Sequence, residues 1–449
     1  MRNKRFILSL ILCAMTISLA AQNEVLTLDS CLRAARQRNC TIQAARLDVL
    51  ISQEVKKQML WKYFPQVSLQ GFAFGAARHL IEFDVREMSN SADMKDFLSQ
   101  VFDLIHEQDT SVNPVVKKMR WGVSAQAQAV QPIYWGGQIV TANKLAKLGI
   151  DASELKAEVS ERDVLQEVAE TYWLVAGLME KRTTIQIATD LLDSIGDVAN
   201  TAYNNGIVTK NDLLRVQLKQ NEMQTKAMQL ENGIQLASRF LCHMIGQPYN
   251  GEIILETFEE NEPMAELAPK PDSIRIDGRP ETKLLETNVR YNQLMKRLTL
   301  GESLPHLALG ISGGYTNFFE RDKWNALAIL SLSIPLTQWG ETTHKLRQHD
   351  LQIRQAQLMQ SDLREKLNLQ NTQIYDQMVE SLKMLEQHRT GRDLAKENYR
   401  VALMNYKAGV GTMTELMEAE ALLLMAENAY TDAQISYRVA ARKFADFNK

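Results

Sequence analysis

The sequence contains one helix-reversal pattern twice, as YNNGIVTKNDLL at residues 203–214 and as YKAGVGTMTELM at residues 406–417. Each copy has a tyrosine, a glycine three residues later, a threonine three residues after that, and an acid after three more. Glycine readily takes the left-handed conformation that ends a helix. A threonine followed three residues later by an acid has the spacing of a capping box, which starts a helix. Each copy therefore predicts a sharp reversal between two helices.

Long helices are expected on both sides of these turns. Proline is absent between Pro132 and Pro248 and again after Pro335, and an internal proline costs a helix about 3 kcal/mol. Apolar residues recur every three or four positions in both tracts, in narrow, alanine-rich stripes that suit helices packed side by side. We expect each tract to begin just after a Trp-Gly step, at Trp135-Gly136 and at Trp339-Gly340.

Each proline-free tract reaches its turn after about 64 residues, which corresponds to a rod of roughly 100 Å at 1.5 Å per residue. The helices after the turns, at roughly 211–246 and 413–446, are only about half as long. Two further helices, at residues 41–62 and 281–302, supply the missing length if they stack end to end on these shorter helices. The expected wall therefore has one long helix beside two stacked short ones, twice over.

Four strand-like stretches separate the helices. Their expected positions are residues 67–75, 121–130, 307–315 and 326–335. Alternation of apolar with small or polar residues is clearest in the second stretch, WGVSAQAQAV. Such alternation over about ten residues is typical of a strand between lipid and a wet lumen. A soluble sheet with one packed face explains any one such strand equally well.

The flanking helices favour the membrane interpretation, because they lead away from the strands and leave no partner to cover a soluble sheet. Four strands cannot close a barrel, and open edges are not tolerated in hydrocarbon. Three copies would give twelve strands, an even number in the known range. The predicted fold class is mainly α with a small β part. It combines a long α-helical barrel with a 12-stranded transmembrane β-barrel shared by a homotrimer, in which each internally duplicated chain gives four strands.

The N-terminus has the features of a signal peptide. Basic residues precede an apolar run that extends from Phe6 to about Leu19, and small residues near Ala20 suit cleavage. A membrane anchor is the alternative, but the run is short for a span. We therefore divide the chain into a signal peptide (1–20), a first structural repeat (21–246), an irregular connector rich in proline and glutamate (247–280) and a second repeat (281–449).

Composition and motifs argue against several other functions. The formal net charge is −3 and no basic stripe is present, so nucleic acid is not an expected partner. The G-x-S-x-G pattern at 310–314 lies within a strand rather than at a strand-to-helix elbow, which argues against a hydrolase. The histidines lack metal-ligand spacing and the methionines are scattered. We therefore expect no catalytic site, no metal and no cofactor.

Two features have no assigned role. Cys31, Cys40 and Cys242 remain after cleavage, and an odd number does not make a disulfide framework. Between the first two strands lies a long loop, residues 79–118, with helical spacing at 91–108. This loop is a lid, a receptor surface or mere decoration.

Taken in order, these features resemble the TolC-like outer-membrane efflux protein family across essentially the whole mature chain. LTLDSCLRAARQRN (26–39) is similar to the amino-terminal helix of that family, although Cys40 stands where a proline commonly follows. The helix-to-strand joints FPQVSL (64–69) and LPHLAL (304–309) and both turns also resemble the family.

The resemblance implies a homotrimeric, passive duct that crosses the outer membrane of a Gram-negative bacterium, contacts its lipid and extends into the periplasm. It would be the exit duct of a tripartite efflux or type I secretion system, driven by an inner-membrane transporter through a periplasmic adaptor protein. The two turns would form the periplasmic tip, while the connector and both termini would form a belt at mid-length. The residues implied in adaptor docking are Tyr203, Gly206, Thr209, Gly409, Gly411 and Thr412.

The resemblance also implies a gate just after the second turn. Glu415 and Glu418 match inward-facing acids of the family, and Tyr406 matches its tyrosine; Asp212 holds the corresponding place in the first copy. Threefold symmetry would gather six carboxylates from Glu415 and Glu418 into a ring that favours cations. A capping-box role is the alternative for Glu415. Part of the family has an arginine lock at the position of Gly411, so we expect closure here to rely on packing and hydrogen bonds.

A different class of function also fits the helices. The chain would then be a soluble periplasmic helical scaffold or adaptor, with its strands packed as a small sheet.

Overall fold

The computed structural model describes residues 25–78, 81–83, 117–119, 121–206, 208–251, 253–256, 276–318 and 321–448. The predicted signal peptide, the helical spacing at 91–108 and the proline-rich middle of the connector lie outside these ranges and stay predictions. The chain forms two compact units. One comprises Met1–Leu50, Asp151–Thr287 and Gln357–Lys449; the other comprises Ile51–Ile150 and Asn288–Ala356.

Seven α-helices occur in the described part of the chain. Their bounds are α1 Leu28–Arg38, α2 Cys40–Trp61, α3 Gln138–Asn204, α4 Lys210–Met244, α5 Pro280–Glu302, α6 Gln338–Lys407 and α7 Met413–Phe447. The predicted helices are thus confirmed, with α3 and α6 running for 67 and 70 residues. None of the described helices combines the length and the hydropathy that a bilayer span requires.

The start of α2 explains how cysteine can occupy position 40, where a proline commonly follows the asparagine in the family that the sequence resembles. Asn39 precedes the helix, and its side-chain oxygen accepts hydrogen bonds from the backbone N–H groups of Thr41 (2.9 Å) and Ile42 (3.3 Å). Cys40 is therefore the first helical residue, a position that favours proline because its N–H needs no helical partner. Its thiol is free and exposed, whereas Cys31 and Cys242 are free and buried.

The two Trp-Gly steps are not equivalent, so the prediction that both precede a helix is wrong for the second. Gly136 adopts a φ of 57° immediately before α3, where a side chain would overlap the carbonyl of Gly301. Trp339 and Gly340 lie within the first turn of α6 instead. The Trp339 indole N–H donates to the Ser303 carbonyl at 3.1 Å, which accounts for the tryptophan without a helix break.

The sheet confirms the four predicted strands. The described strands are β1 Gln66–Gly75, β2 Ile81–Phe83, β3 Lys117–Met119, β4 Trp121–Trp135, β5 His306–Phe318 and β6 Arg321–Ser333. β1, β4, β5 and β6 form one antiparallel sheet in that order, while β2 and β3 pair separately. Pairing of β4 with β5 joins the two predicted repeats, with one irregularity between Pro132 and Tyr134.

Both ends of the described connector contact the chain termini. Leu26 forms a parallel bridge with Leu255, in which the Leu26 N–H donates to the Ile254 carbonyl at 2.8 Å. Arg279 donates to the Phe447 carbonyl at 2.8 Å, and its guanidinium lies 3.8 Å from the centre of the Phe447 ring. The predicted domain boundaries themselves stay predictions.

Candidate functional site: two helix reversals and an apolar sheet face

The two reversals close in the same way. Gly206 and Gly409 have φ angles of 72° and 73°, in the left-handed region that ends helices. The Gly206 N–H donates to the Tyr203 carbonyl at 2.9 Å, and the Gly409 N–H donates to the Tyr406 carbonyl at 3.1 Å. The predicted helix reversals are confirmed at both copies.

Both predicted capping boxes are also present. The Asp212 N–H donates to the Thr209 hydroxyl at 3.3 Å, and the Thr209 N–H donates to the Asp212 carboxylate at 3.2 Å. In the second copy the Glu415 N–H donates to the Thr412 hydroxyl at 3.3 Å, and the Thr412 N–H donates to the Glu415 carboxylate at 2.9 Å. The acids at these positions therefore have a structural role whatever else they do.

The two hairpins, α3–α4 and α6–α7, meet close to their turns. Arg215 on α4 donates from Nη1 to the Thr414 hydroxyl on α7 at 2.9 Å. A shared apolar cluster lies behind this bond. Its buried members are Ile195, Ala199, Val216, Met413 and Leu416, with Tyr399, Ala402, Leu403 and Tyr406 of α6 packed against it. The turns are thus parts of one four-helix end rather than two independent tips.

Tyr406 and Asp212, both predicted for the gate, come together at this end. Burial raises the pKa of the Tyr406 hydroxyl, and the negative charge of Asp212 raises it further. Tyr203, the counterpart of Tyr406 in the first copy, is 38% exposed. The two tyrosines of the repeated pattern therefore have different environments.

Gly411 closes the second turn through its backbone. Its N–H donates to the Asn405 carbonyl at 3.0 Å, and a side chain added at Gly411 would come within 3.0 Å of the Asn405 Cβ. That contact is tighter than ordinary van der Waals packing, so the position favours glycine. Near the turns, the hydrogen bond from Arg215 to Thr414 joins the two hairpins, whereas position 411 has no side chain to do so.

Glu415 and Glu418 both lie on the exposed side of α7. They begin a stripe that continues at helical spacing with Leu422 and Met425, which are 49% and 72% exposed. Among the described residues no ion pair involves Glu418, whereas Glu415 accepts the capping bond. Glu418 is thus the acid of this pair whose charge has no structural assignment.

Sequence reasoning missed one acid on the opposite side of the same helix. Glu420 is only 2% exposed, and neither of its carboxylate oxygens has a hydrogen-bond partner among the described residues. It lies four residues after buried Leu416 and four before buried Leu424. That spacing places it in the apolar stripe of α7 and was available in the sequence as a signal of burial.

One face of the sheet carries almost only apolar side chains and glycines. Strand register places the odd-numbered residues of β1, of β4 as far as Gln131 and of β5 on this face, together with the even-numbered residues of β6. Many of its large members are exposed, among them Val67, Leu69, Trp121, Ile311, Trp324, Leu330 and Leu332. The opposite face carries Ser68, Gln70, Gln126, Gln128, Ser312 and Thr316, together with a few apolar residues such as Phe72 and Leu327.

The described residues contain no group of three or more His, Cys, Asp or Glu side chains that could hold a metal ion.

No protein-family model and no curated protein sequence matches this chain. Solved structures do match it, and 22 chains are similar. The outer membrane protein VceC from Vibrio cholerae is 14% identical, with 94% of this chain and 96% of that chain covered and a TM-score of 0.71. The CmeC outer membrane channel of Campylobacter jejuni is 13% identical, with 96% and 90% covered and a TM-score of 0.75.

The open state of the MtrE outer membrane channel of Neisseria gonorrhoeae is also similar, with 14% identity, 94% and 88% coverage and a TM-score of 0.65. The chain therefore has the fold of these outer-membrane channels. The fold of the single chain that the TolC-like resemblance implied is confirmed in its long helices and its small sheet, while the shared trimeric barrel stays a prediction.

Replacing Arg215 with alanine should loosen the contact between the hairpins, because the charged hydrogen bond to Thr414 is lost. We expect a double-mutant cycle with Thr414→Ala to give a coupling free energy of about 0.5–1 kcal/mol, since the bond is exposed. Hydrogen–deuterium exchange of residues 208–216 and 413–417 would measure the free energy of local opening in each variant, and the cycle gives the coupling free energy. Arg182→Ala, which breaks an exposed ion pair between α3 and Glu231 of α4, is the control and should leave these segments unchanged. Additive effects of the two variants would contradict the link.

Proposed function

We propose that this chain is one protomer of a homotrimeric outer-membrane channel, the passive exit duct of a tripartite efflux or type I secretion system. The exposed apolar face of the four-stranded sheet carries this proposal. A contiguous apolar surface of this kind on a soluble monomer would be an aggregation liability, whereas lipid requires it. The mainly polar opposite face suits the water-filled lumen of a channel.

The open edges of the sheet support the trimer. Among the described residues, β1 and β6 each pair with a strand on one side only. Unpaired backbone groups are strongly unfavourable in hydrocarbon, so β1 of one copy must meet β6 of another until the ring closes. Three copies give twelve strands, and the same symmetry places three copies of the four-helix end around one axis.

The four-helix end is the proposed adaptor-docking tip and gate. Tyr203, Gly206, Thr209, Gly409, Gly411 and Thr412 form the turns that would meet a periplasmic adaptor and, through it, an inner-membrane transporter. Glu415 and Glu418 would line the entrance with Tyr406 and Asp212 behind them. Closure would rest on the shared apolar cluster and the bond between Arg215 and Thr414, since Gly411 offers no side chain for an ion pair.

The membrane assignment is tested by fractionating cells that express the full chain and running the purified protein on a gel without boiling. We expect it in the outer-membrane fraction as a trimer that becomes a monomer on boiling, because backbone pairing holds the shared barrel together. A monomer in the soluble periplasmic fraction would reject the channel and support the alternative of a helical scaffold.

The gate assignment is tested by single-channel conductance in planar bilayers. Glu418→Ala should change conductance and reduce preference for cations, because it removes three of the six carboxylates proposed for the ring. Glu365→Ala, which removes another exposed carboxylate far along α6 from the turn, is the matched control and should behave as wild type. Unchanged conductance and selectivity in Glu418→Ala would reject the ring.

Adaptor docking is tested with a photo-reactive amino acid at Val410, which is 78% exposed within the second turn. Irradiation of intact cells should attach a periplasmic adaptor that itself co-purifies with an inner-membrane transporter. The same probe at Leu351, which is 64% exposed on α6 and far from the turns, should not attach it. Equal labelling from both positions would place docking elsewhere.

A further inference from the structure

Glu420 is a buried acid in a position that has no need of a charge. Its carboxylate oxygens are covered by this chain and have no hydrogen-bond partner among the described residues. Burying an ionised carboxylate without a partner is strongly unfavourable, so such a group is protonated or its surroundings rearrange. This burial is produced by the residues of one chain alone.

The residue interrupts an otherwise apolar seam between the two hairpins. One apolar cluster, around Val216 and Leu416, lies on the turn side of it. A second cluster, of Ala188, Leu192, Met223 and Leu424, lies on the other side. Glu420 therefore occupies the place in α7 where a continuous core between α3, α4 and α7 would otherwise contain another apolar side chain.

The charged groups around Glu420 do not neutralise it. Those of α4 are Lys219, Glu222 and Lys226, and both lysines are bound to Glu222, at 3.2 Å and 2.7 Å. α6 contributes Arg392, Lys396 and Tyr399, α7 contributes Glu427, and α3 contributes Glu180. Arg392 is bound to Asp393 and Lys396 to Glu427, at 3.1 Å and 3.0 Å.

Burial raises the pKa of the Glu420 carboxyl, Glu222 adds to the rise, and Lys219 and Lys226 oppose it in part. Tyr399 offers a hydroxyl that is itself buried without a partner among the described residues. Burial raises the pKa of this hydroxyl, and the charge of Glu420 raises it further. Two neighbouring polar groups, on α6 and α7, thus lack hydrogen-bond partners in the part of the chain that the structure describes.

A cavity of about 330 Å³ lies beside the seam. Glu420 is part of its lining, with the hydroxyl-bearing residues Thr183, Thr184 and Thr431 and the charged residues Arg392 and Lys396. This space is polar enough to hold water, so a proton can reach the seam, and an ionised carboxylate can turn towards it when the helices part.

We propose that Glu420 is a proton-dependent latch, whose neutral form holds α7 in the seam with α3 and α4 and whose ionised form favours separation of α7. The proton passes between the carboxyl group and water, with no other reactant. The packed state binds the proton more tightly than a state with a hydrated carboxylate. Packing is therefore strongest below the ordinary pKa of glutamate and weakens as pH rises through the raised pKa.

Hydrogen–deuterium exchange of the full-length assembled protein tests the latch. Exchange of residues 413–427 is measured from about pH 4 to 8 and corrected for the intrinsic pH dependence of amide exchange. In the wild type, the opening constant should rise by up to about tenfold per pH unit between the two pKa values. In Glu420→Gln, a neutral side chain of the same shape, this rise of the opening constant should be lost.

Asp432→Asn is the matched control, because it makes the same change of charge on α7 at an exposed carboxylate that is bound to Lys181. It should retain the pH dependence of the wild type. Equal pH dependence in wild type and Glu420→Gln would overturn the latch. If Glu420→Gln fails to assemble, infrared spectra of the wild type decide the matter. A protonated carboxyl band should disappear over the pH range in which exchange accelerates, and its absence at low pH would overturn the proposal.

The latch goes beyond the proposed channel, and the exchange test of the latch does not depend on whether the chain forms a channel. Exchange reports the opening of α7 in whatever assembly the chain forms. A consequence for conductance, namely more frequent opening at higher pH in wild type but not in Glu420→Gln, does rest on the proposed channel. If hydrogen–deuterium exchange depends on pH but no conductance is measured, the channel is rejected and the latch is kept.

Discussion

The two open edges of the four-stranded sheet are the constraint on which the proposed assembly depends. Each edge strand leaves a row of backbone groups that only another strand can satisfy where water is excluded. The apolar face of the same sheet favours such an environment. Association then follows from backbone hydrogen bonding and ring closure more than from recognition between particular side chains. Because apolar and polar side chains alternate along the strands, one face of the sheet can contact lipid in the proposed channel while the other faces water.

The internal duplication gives two hairpins with the same turn chemistry and different roles. Both turns use a left-handed glycine and a complete capping box. Beyond the cap the copies diverge, since the first presents Arg215 and the second presents exposed Glu418 and buried Glu420. The same capping box thus begins the second helix of both hairpins, which are joined by the bond from Arg215 to Thr414, while the buried Glu420, without a hydrogen-bond partner among the described residues, lies on the second hairpin.

Much of this fold could be predicted because its signals are local. Long proline-free tracts, glycine followed by a capping box, and alternation in short strands each report on a few neighbouring residues, and the structure confirmed them. The Trp-Gly prediction failed at Trp339 because α6 already begins at Gln338, and the indole bonds to Ser303, a partner that adjacent sequence does not reveal. Gly136 differs because the close approach of Gly301 requires a residue without a side chain.

The candidate site was only partly predictable for the same reason. Glu415, Glu418 and Glu420 form one acidic cluster in sequence, and an acidic cluster is usually solvated. Helical geometry separates them, because residues that differ by three or four positions share a face while Glu420 falls on the apolar side. Packing of α7 against α3, α4 and α6 then turns that orientation into burial.

The sequence by itself determined the helices, their reversals and the four strands, since capping, proline exclusion and alternation act within a few residues. Only the tertiary structure decided which residues of the four strands share the apolar face, because strand register sets it. Tertiary packing also decided that Arg215 meets Thr414 and that Glu420 has no hydrogen-bond partner among the described residues. These outcomes depend on groups brought together from distant parts of the chain, whose distances are set by how whole helices and strands pack.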